Sequence, residues 1–301
     1  MGRLVVIQGA TAAGKSAVAA SLALGYQCPV VSCDSRQFYR EMTIGTAVPS
    51  PEELAAATHY FIQDRSIEEP LSAGAYEQEA LVLLEKLFAH HSTVILVGGS
   101  GLFADALVYG LDPLPTSETI RGELNTIYER DGLAPILEAL RMADPVHYNL
   151  VDRQNPLRVI RALEVCRASG MPYSNLRTAR HATRPFSVVR LAVDMPREEL
   201  YHRINSRVEQ MVHRGLEDEA RALIAQRHLA PLRTVGYSEF FDYFDGKLSK
   251  EATIDKIKQN TRNYAKRQLT WLRRERDLRY FAPSDIEQIV QWLENSTHGI
   301  I

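Results

Sequence analysis

The sequence predicts an α/β protein: a P-loop parallel-sheet core with an inserted helical domain and C-terminal basic helices. Three observations carry that prediction. Short apolar, β-branched runs alternate with helical patterns over the first hundred residues. The segment Gly9-Ala10-Thr11-Ala12-Ala13-Gly14-Lys15-Ser16 fits G-x-x-x-x-G-K-[ST] between a strand-like and a helix-like stretch. From about residue 117 to 184 the pattern turns helical and arginine-rich, and a strand-like run then returns at 187–193. Apolar runs that do not alternate, separated by helices, mark parallel strands covered on both faces. Such strands are joined by right-handed crossovers.

In chain order, Leu4 to Gln8 reads as a strand, Lys15 to Leu24 as an alanine-rich helix and Pro29 to Cys33 as a second strand. Gly74 to His90 follows as a helix and Thr93 to Val97 as a third strand. Leu111-Asp112-Pro113-Leu114-Pro115 is a proline-punctuated break. The core domain is therefore expected over 1–115 and 185–301, with a helical insertion over 116–184. Between Arg141 and Arg184 the insertion carries eight arginines against Asp144, Asp152 and Glu164. Ser187 to Val193 returns the chain to the sheet. Leu200, Ile204, Val208, Met211, Val212, Leu216, Ala220 and Leu223 then form an apolar stripe at helical spacing, read as core over two helices. The last long helix, about 250–276, carries Lys256, Lys258, Arg262, Lys266, Arg267, Arg273 and Arg274, with Tyr264 and Trp271 among them.

The bulk numbers exclude several classes. At 301 residues, 45% hydrophobic and 24% charged, the chain can bury a large core. A net charge of −2 means that any nucleic-acid binding must come from local basic faces. Cys28, Cys33 and Cys166 lack metal-ligand spacing and are odd in number, so buried thiols are expected rather than disulfides or zinc. Neither a signal-peptide pattern nor an apolar run long enough to span a bilayer occurs, and a cytoplasmic protein is expected.

The glycine-rich loop carries the first chemistry. Its backbone N–H groups and the following helix N-terminus attract an anion, Lys15 adds a full charge, and the Ser16 hydroxyl is suited to Mg²⁺. Gly9, Ala10, Thr11, Ala12, Ala13, Gly14, Lys15 and Ser16 are thus the expected diphosphate or nucleotide site. The acidic metal ligand expected at the end of a later strand in phosphoryl-transfer enzymes is missing from Thr93–Val97, which runs into Gly98-Gly99-Ser100-Gly101. Binding of a diphosphate is legible; cleavage of a γ-phosphate is not.

Further motifs follow in linked order. They are Asp34-Ser35-Arg36-Gln37-Phe38-Tyr39-Arg40, Ile44-Gly45-Thr46-Ala47, Val97-Gly98-Gly99-Ser100-Gly101-Leu102-Phe103, Arg158-Val159-Ile160-Arg161-Ala162-Leu163-Glu164-Val165, Arg233-Thr234-Val235-Gly236-Tyr237 and Ala265-Lys266-Arg267-Gln268-Leu269-Thr270-Trp271. With the phosphate loop, this set closely resembles the tRNA dimethylallyltransferases over about residues 3–276. Gly9-Ala10-Thr11 stands where that family often has Gly-Pro-Thr, and Ser100 where it often has Thr. Val151-Asp152-Arg153-Gln154-Asn155 replaces its usual His-Pro-Asn-Asp.

The resemblance implies transfer of a dimethylallyl group from its diphosphate to N6 of the adenosine next to the anticodon (position 37), in tRNAs reading codons that begin with U. It makes Asp34 the base that takes the N6 proton, worth roughly 10²–10⁴-fold. It places Arg233, Lys15 and Mg²⁺ held through Ser16 on the departing diphosphate, with Thr11 beside them and Ser100 at the adenosine phosphate. The adenosine would be extruded from its loop. Asp34, Ser35, Arg36 and Gln37 would meet the base, Gln37 suiting its N6/N7 edge. Arg158, Arg161, Lys266 and Arg267 would meet RNA phosphates of the anticodon stem-loop. One subunit per tRNA suggests a monomer. Taken alone, Asp34 could merely cap a turn and Arg233 could be a surface arginine.

Three rival readings stay open at this stage. A small-molecule kinase also uses a phosphate loop and an Asp after the second strand; ATP turnover would favour it. An adenylate isopentenyltransferase would share the chemistry but use a free nucleotide, which does not need the basic helix and arginine-rich insertion. A non-catalytic RNA-binding module would require a degenerate loop, whereas Lys15, Ser16 and Asp34 are all present.

Overall fold

In the computed structural model, which describes residues 2–178, 182–275 and 278–296, the core is a sheet of six parallel strands in the order β3-β2-β4-β1-β5-β6. The chain enters at β1 (Gly2–Gly9), passes through α1 (Lys15–Tyr26) and reaches β2 (Val30–Ser32). It continues through α2 (Pro51–Ala55), β3 (His59–Tyr60), α3 (Ala73–Phe88), β4 (Thr93–Val97) and α4 (Gly101–Tyr109). β1 lies between β4 and β5, with Leu4, Val5, Val6 and Ile7 at most 1% exposed. Burial on both faces explains why these residues do not alternate with polar ones. Each contributes roughly 1.5–3 kcal/mol of apolar burial.

Two compact units emerge: Met1–Val108 with Thr183–Ile301, and Tyr109–Ala182. The second unit holds α5 (Glu118–Asp131), α6 (Ala134–Ala143), α7 (Pro145–Leu150), α8 (Pro156–Ser169) and α9 (Tyr173–Leu176). Its own core gathers Leu124, Ile136, Leu140, Val159, Ile160 and Leu163. Ser117, Asp144 and Asn155 cap α5, α7 and α8 through their side-chain oxygens, and Gly170 ends α8 in the left-handed region at φ 69°.

The chain returns to the sheet at β5 (Phe186–Val193) and continues through α10 (Arg197–His213), α11 (Leu216–Ala222), α12 (Tyr237–Phe244), α13 (Lys250–Leu272), β6 (Arg279–Phe281) and α14 (Ile286–Asn295). The predicted apolar stripe splits as expected into two helices, broken at Gly215 with φ 101°. Leu200, Ile204, Val208, Leu216 and Ala220 are buried. The expected end of the basic helix differs: α13 stops at Leu272, and Arg276 lies outside the described residues, as does Arg180 of the insertion. The edge strands β3 and β6 are two and three residues long, too short to leave a periodic signal. Among the described residues no helix is long and apolar enough to cross a membrane.

Candidate active site

Three loops at the C-terminal ends of adjacent strands build the site, the position where open α/β sheets bind ligands. The first joins β1 to α1. Gly14 occupies the helix N-cap at φ 95° with no side-chain cap, so the first N–H groups of α1 remain available to an anion. Ala12 is also left-handed, at φ 65°, a strained geometry for a residue with a Cβ. Lys15 Nζ donates to the Ala10 carbonyl at 2.7 Å. Burial pushes the Lys15 ammonium down to about 8; nearby Asp34 pulls it back up and Arg207 pushes it further down.

The second loop follows β2. The Asp34 N–H donates to Ser32 Oγ at 3.2 Å, and Asp34 Oδ1 accepts the Arg36 N–H at 3.1 Å. That turn leaves Oδ2 facing Gly99, 3.7 Å from where a Cβ on that glycine would stand. The third loop follows β4 and is tied to the second by two contacts. The Ser35 N–H donates to Ser100 Oγ at 3.1 Å, and the Ser35 and Ser100 hydroxyls are 3.0 Å apart. Over these loops lies α13. Its Gln268 Oε1 accepts the Thr11 N–H at 2.8 Å while Nε2 donates to the Gly99 carbonyl at 2.9 Å.

The loops open into adjoining cavities. One of about 620 Å³ is lined by Thr11, Lys15, Ser16, Asp34 and Gln37. A second, of about 540 Å³, is lined by Thr11, Asp34, Arg36, Arg233, Tyr264 and Arg267. A third, of about 280 Å³, is lined by Ser35, Ser100, Tyr264, Arg267 and Trp271. Asp34 and Thr11 belong to both larger cavities. A carboxylate therefore stands on the wall shared by the cavity over the β1–α1 loop and its neighbour. Burial holds the Tyr264 phenol well above its usual range, with Asp34 adding to the effect, so Tyr264 stays a neutral hydrogen-bonding group.

Sequence reasoning missed part of this wall. Arg203 and Arg207 of α10, and Arg214 at its C-cap, line the phosphate-loop cavity. They run along one edge of the predicted apolar stripe, spaced by four and seven residues, with Arg207 next to buried Val208. Burial lowers the Arg207 pKa, Arg203 lowers it further, and Glu53 offsets them in part. A pair of arginines at helical spacing was the available signal, but such pairs usually mark solvated faces. Also missed was Glu219, whose carboxylate accepts the N–H groups of Thr43, Ile44 and Gly45 at 2.8–3.0 Å and the Tyr237 hydroxyl at 2.6 Å. It pins the Ile44-Gly45 turn to Tyr237 of the Arg233–Tyr237 segment.

Other predicted residues sit differently from expectation. Gln37 Nε2 donates to the carbonyls of Thr46 and Ala47 at 3.2 and 2.9 Å. Its amide hydrogens therefore brace a loop, and it lines the phosphate-loop cavity rather than the other two. Arg233 reaches the second cavity but donates from Nη2 to the carbonyl of His228 at 3.2 Å. In the helical unit, Arg161 donates to the carbonyls of Pro115 and Leu114 at 3.0 and 3.3 Å and pairs with buried Glu164 at 3.0 Å. Glu164 also pairs with Arg121 and accepts the Ser117 N–H at 3.0 Å. Arg161 is thus an internal brace, whereas Arg158 is exposed. On α13, Lys258 pairs with Glu209 and Arg262 donates to Asn205. Lys266 and Arg267 are exposed and form no ion pair among the described residues, though the Arg267 guanidinium lies 5.8 Å from the Tyr264 ring centroid.

Comparison with known proteins bears on this geometry. A family model described as IPP transferase matches residues 37–275. The tRNA dimethylallyltransferase 1 of Bacteroides thetaiotaomicron is 42% identical over 99% of this chain and 98% of its own length. The tRNA dimethylallyltransferase of Cytophaga hutchinsonii is 44% identical over 97% and 96%. Among solved structures, the tRNA isopentenylpyrophosphate transferase of Bacillus halodurans superposes with a TM-score of 0.73 at 33% identity, covering 98% of this chain and 96% of that one. A eukaryotic dimethylallyltransferase acting on tRNA shares the fold, with a TM-score of 0.78 at 23% identity over 99% of this chain and 77% of its own.

Proposed function

The chain belongs to the IPP transferase family as a tRNA prenyltransferase, and we propose that it moves the dimethylallyl group of dimethylallyl diphosphate onto N6 of the adenosine following the anticodon, in tRNAs that read codons beginning with U. The observation that carries this reading is the place of Asp34, on the wall shared by the phosphate-loop cavity and its neighbour. N6 attacks C1 of the donor, the N6–C1 bond forms as the C1–O bond breaks, and the electron pair leaves with diphosphate. The N6 proton goes to Asp34 Oδ2, the oxygen not engaged by the Arg36 N–H.

The departing charge is met by cations already in place. Lys15 and Arg203 line the diphosphate side, Arg233 the acceptor side, and Arg207 lines both. Groups fixed before reaction stabilise charge that develops in the transition state, which raises turnover rather than only affinity. Thr11 lines both spaces and is assigned to the donor's bridging region. Ser16 opens into the same cavity as Lys15, and no cluster of three His, Cys, Asp or Glu side chains suits a metal among the described residues. The Ser16 hydroxyl is the side chain that would help hold a Mg²⁺ ion on this side of the site. When bound, the ion would neutralise charge on the leaving group.

The acceptor base must leave its loop to reach N6. Ser35 and Arg36 are assigned to the base and Ser100 to its phosphate, while Gln37 supports the loop that carries them. Arg158 of the helical unit and Lys266 and Arg267 of α13 are assigned to the RNA backbone. The subunit acts as a monomer in this reading. It is tested by offering labelled dimethylallyl diphosphate and Mg²⁺ with unmodified tRNA, or with AMP, ADP and ATP. Label is expected in tRNA alone. Label in a free nucleotide would overturn the acceptor assignment, and phosphate release from ATP without label transfer would return the chain to kinase chemistry.

The backbone assignment carries its own prediction. Replacing both Lys266 and Arg267 with Ala should weaken RNA binding across all sequences. It should also reduce the slope of log affinity against log salt by about one unit for each RNA phosphate that these side chains neutralise. Titrations at several salt concentrations read this directly, and an unchanged slope would move the RNA interface off α13.

A further inference from the structure

A single buried amide joins the helix assigned to RNA with the loop assigned to the donor. Gln268 is 7% exposed. Its Oε1 takes the Thr11 N–H of the phosphate loop at 2.8 Å, and its Nε2 serves the Gly99 carbonyl of the third loop at 2.9 Å. One end must accept and the other must donate, a combination that a primary amide supplies. Leucine would leave both backbone groups unsatisfied, a cost of roughly 1–3 kcal/mol for each. Asparagine falls a methylene short, and ionised glutamate would turn a second acceptor toward the Gly99 carbonyl. The fit also favours glycine in the loop, because a Cβ on Gly99 would stand 2.2 Å from Gln268 Nε2 and displace the amide from its bonds.

The rest of α13 is fixed to the same platform. Three residues on, Trp271 Nε1 donates to Asp105 Oδ2 at 2.8 Å. Asp105 pairs with Arg190 of β5 at 3.0 Å, and Arg190 reaches Gln8 at 2.6 Å and Glu275 at 3.1 Å. Gly101 packs on the indole so closely that a Cβ would meet it at 2.4 Å. These contacts hold the helix in register with both loops, while Lys266 and Arg267, immediately before Gln268, are exposed. A force on the outer face of α13 therefore acts on Thr11 and Gly99 together.

We propose that Gln268 is a positioning residue that couples occupancy of α13 by RNA to the geometry of the phosphate loop, so that RNA and diphosphate each tighten binding of the other. This rests on the RNA assignment of α13 made above. Coupling of this kind is reciprocal and typically amounts to about 5–150-fold in affinity.

The test measures the dissociation constant of inorganic diphosphate with Mg²⁺, alone and with a saturating anticodon stem-loop. The wild-type chain should bind diphosphate more tightly with RNA present, by a factor in that range. Gln268→Leu should bring the factor to one while RNA alone still binds. Gln268→Glu supplies a control that a purely structural role would not move. It should lack coupling when its carboxyl is ionised and regain it at acid pH, where the protonated acid again offers one donor and one acceptor. Full coupling in Gln268→Leu, or in ionised Gln268→Glu should the first variant not fold, would overturn the proposal. Absence of coupling in the wild-type chain, with RNA and diphosphate each bound, would also overturn it and leave the transferase reading intact. Failure of the wild-type chain to bind RNA would instead remove the RNA assignment of α13.

Discussion

Asp34→Asn is expected to lose roughly 10²–10⁴-fold in turnover while binding both substrates nearly as well as the parent. The substitution keeps side-chain volume and keeps an oxygen for the Arg36 N–H, now 3.1 Å from Oδ1, so the turn survives. What disappears is a basic oxygen beside the junction of the two larger cavities. An exocyclic aromatic amine is a weak nucleophile, and it gains strength only as its proton departs. A base needed chiefly in the transition state depresses kcat and kcat/KM together, without a matching rise in KM. Asp34→Ala should give the same kinetic loss and somewhat poorer folding, because the Arg36 N–H then lacks its acceptor. Single-turnover transfer to pre-bound tRNA, with RNA affinity measured in parallel, reads both parts. Turnover within tenfold of the parent in Asp34→Asn would remove the carboxylate from the proton path.

Asp34 and the phosphate loop are legible in the sequence because their chemistry is local. The eight residues from Gly9 to Ser16 form the turn that opens α1 with its first N–H groups uncapped, and Asp34 follows a strand that ends beside it. The core strands are legible for the same reason: Leu4–Ile7 and Thr93–Val97 display two-sided burial in their composition. The insertion declares itself through the proline break at residues 111–115 and the run of arginines after it.

The rest depends on partners distant in sequence. Gln37 and Arg161 look like RNA-reading side chains until the carbonyls of Thr46, Ala47, Leu114 and Pro115 are placed against them. A carbonyl acceptor leaves no trace in residue identity. Arg203 and Arg207 are hidden by the opposite effect. The apolar stripe of their helix is plain in the sequence, and arginines along its edge read as solvent-facing because charged side chains at such borders usually are solvated. Only the fold turns that edge toward Lys15. Glu219 and Gln268 illustrate a third case, in which one side chain organises loops more than a hundred residues away.

Lys15→Met should separate stability from activity in opposite directions. In the free protein the lysine is half-buried in the cavity wall, and loss of hydration lowers its pKa to about 8 from 10.5 for an unperturbed lysine. Between those values the unfolded chain binds more protons than the folded one, so this group makes stability rise with pH across that window. Below it, the charged group is carried at a cost to the fold. An apolar side chain of similar length removes that cost. Thermal stability at neutral pH should therefore hold or increase, and the component of its rise from about pH 8 to 10.5 should vanish. Turnover should move the other way. Loss of a fixed cation facing the leaving diphosphate is expected to lower kcat roughly 10²–10³-fold, the scale seen when one preorganised charge-stabilising group is removed. RNA affinity measured without donor should be unaltered. The same ammonium predicts that diphosphate binds the parent more weakly as pH rises past about 8, with proton uptake visible as a buffer-dependent binding enthalpy, and that Lys15→Met shows neither effect. A Lys15→Met enzyme that is destabilised yet transfers at the parental rate would assign the lysine to the fold and leave the diphosphate to Arg203 and Arg207.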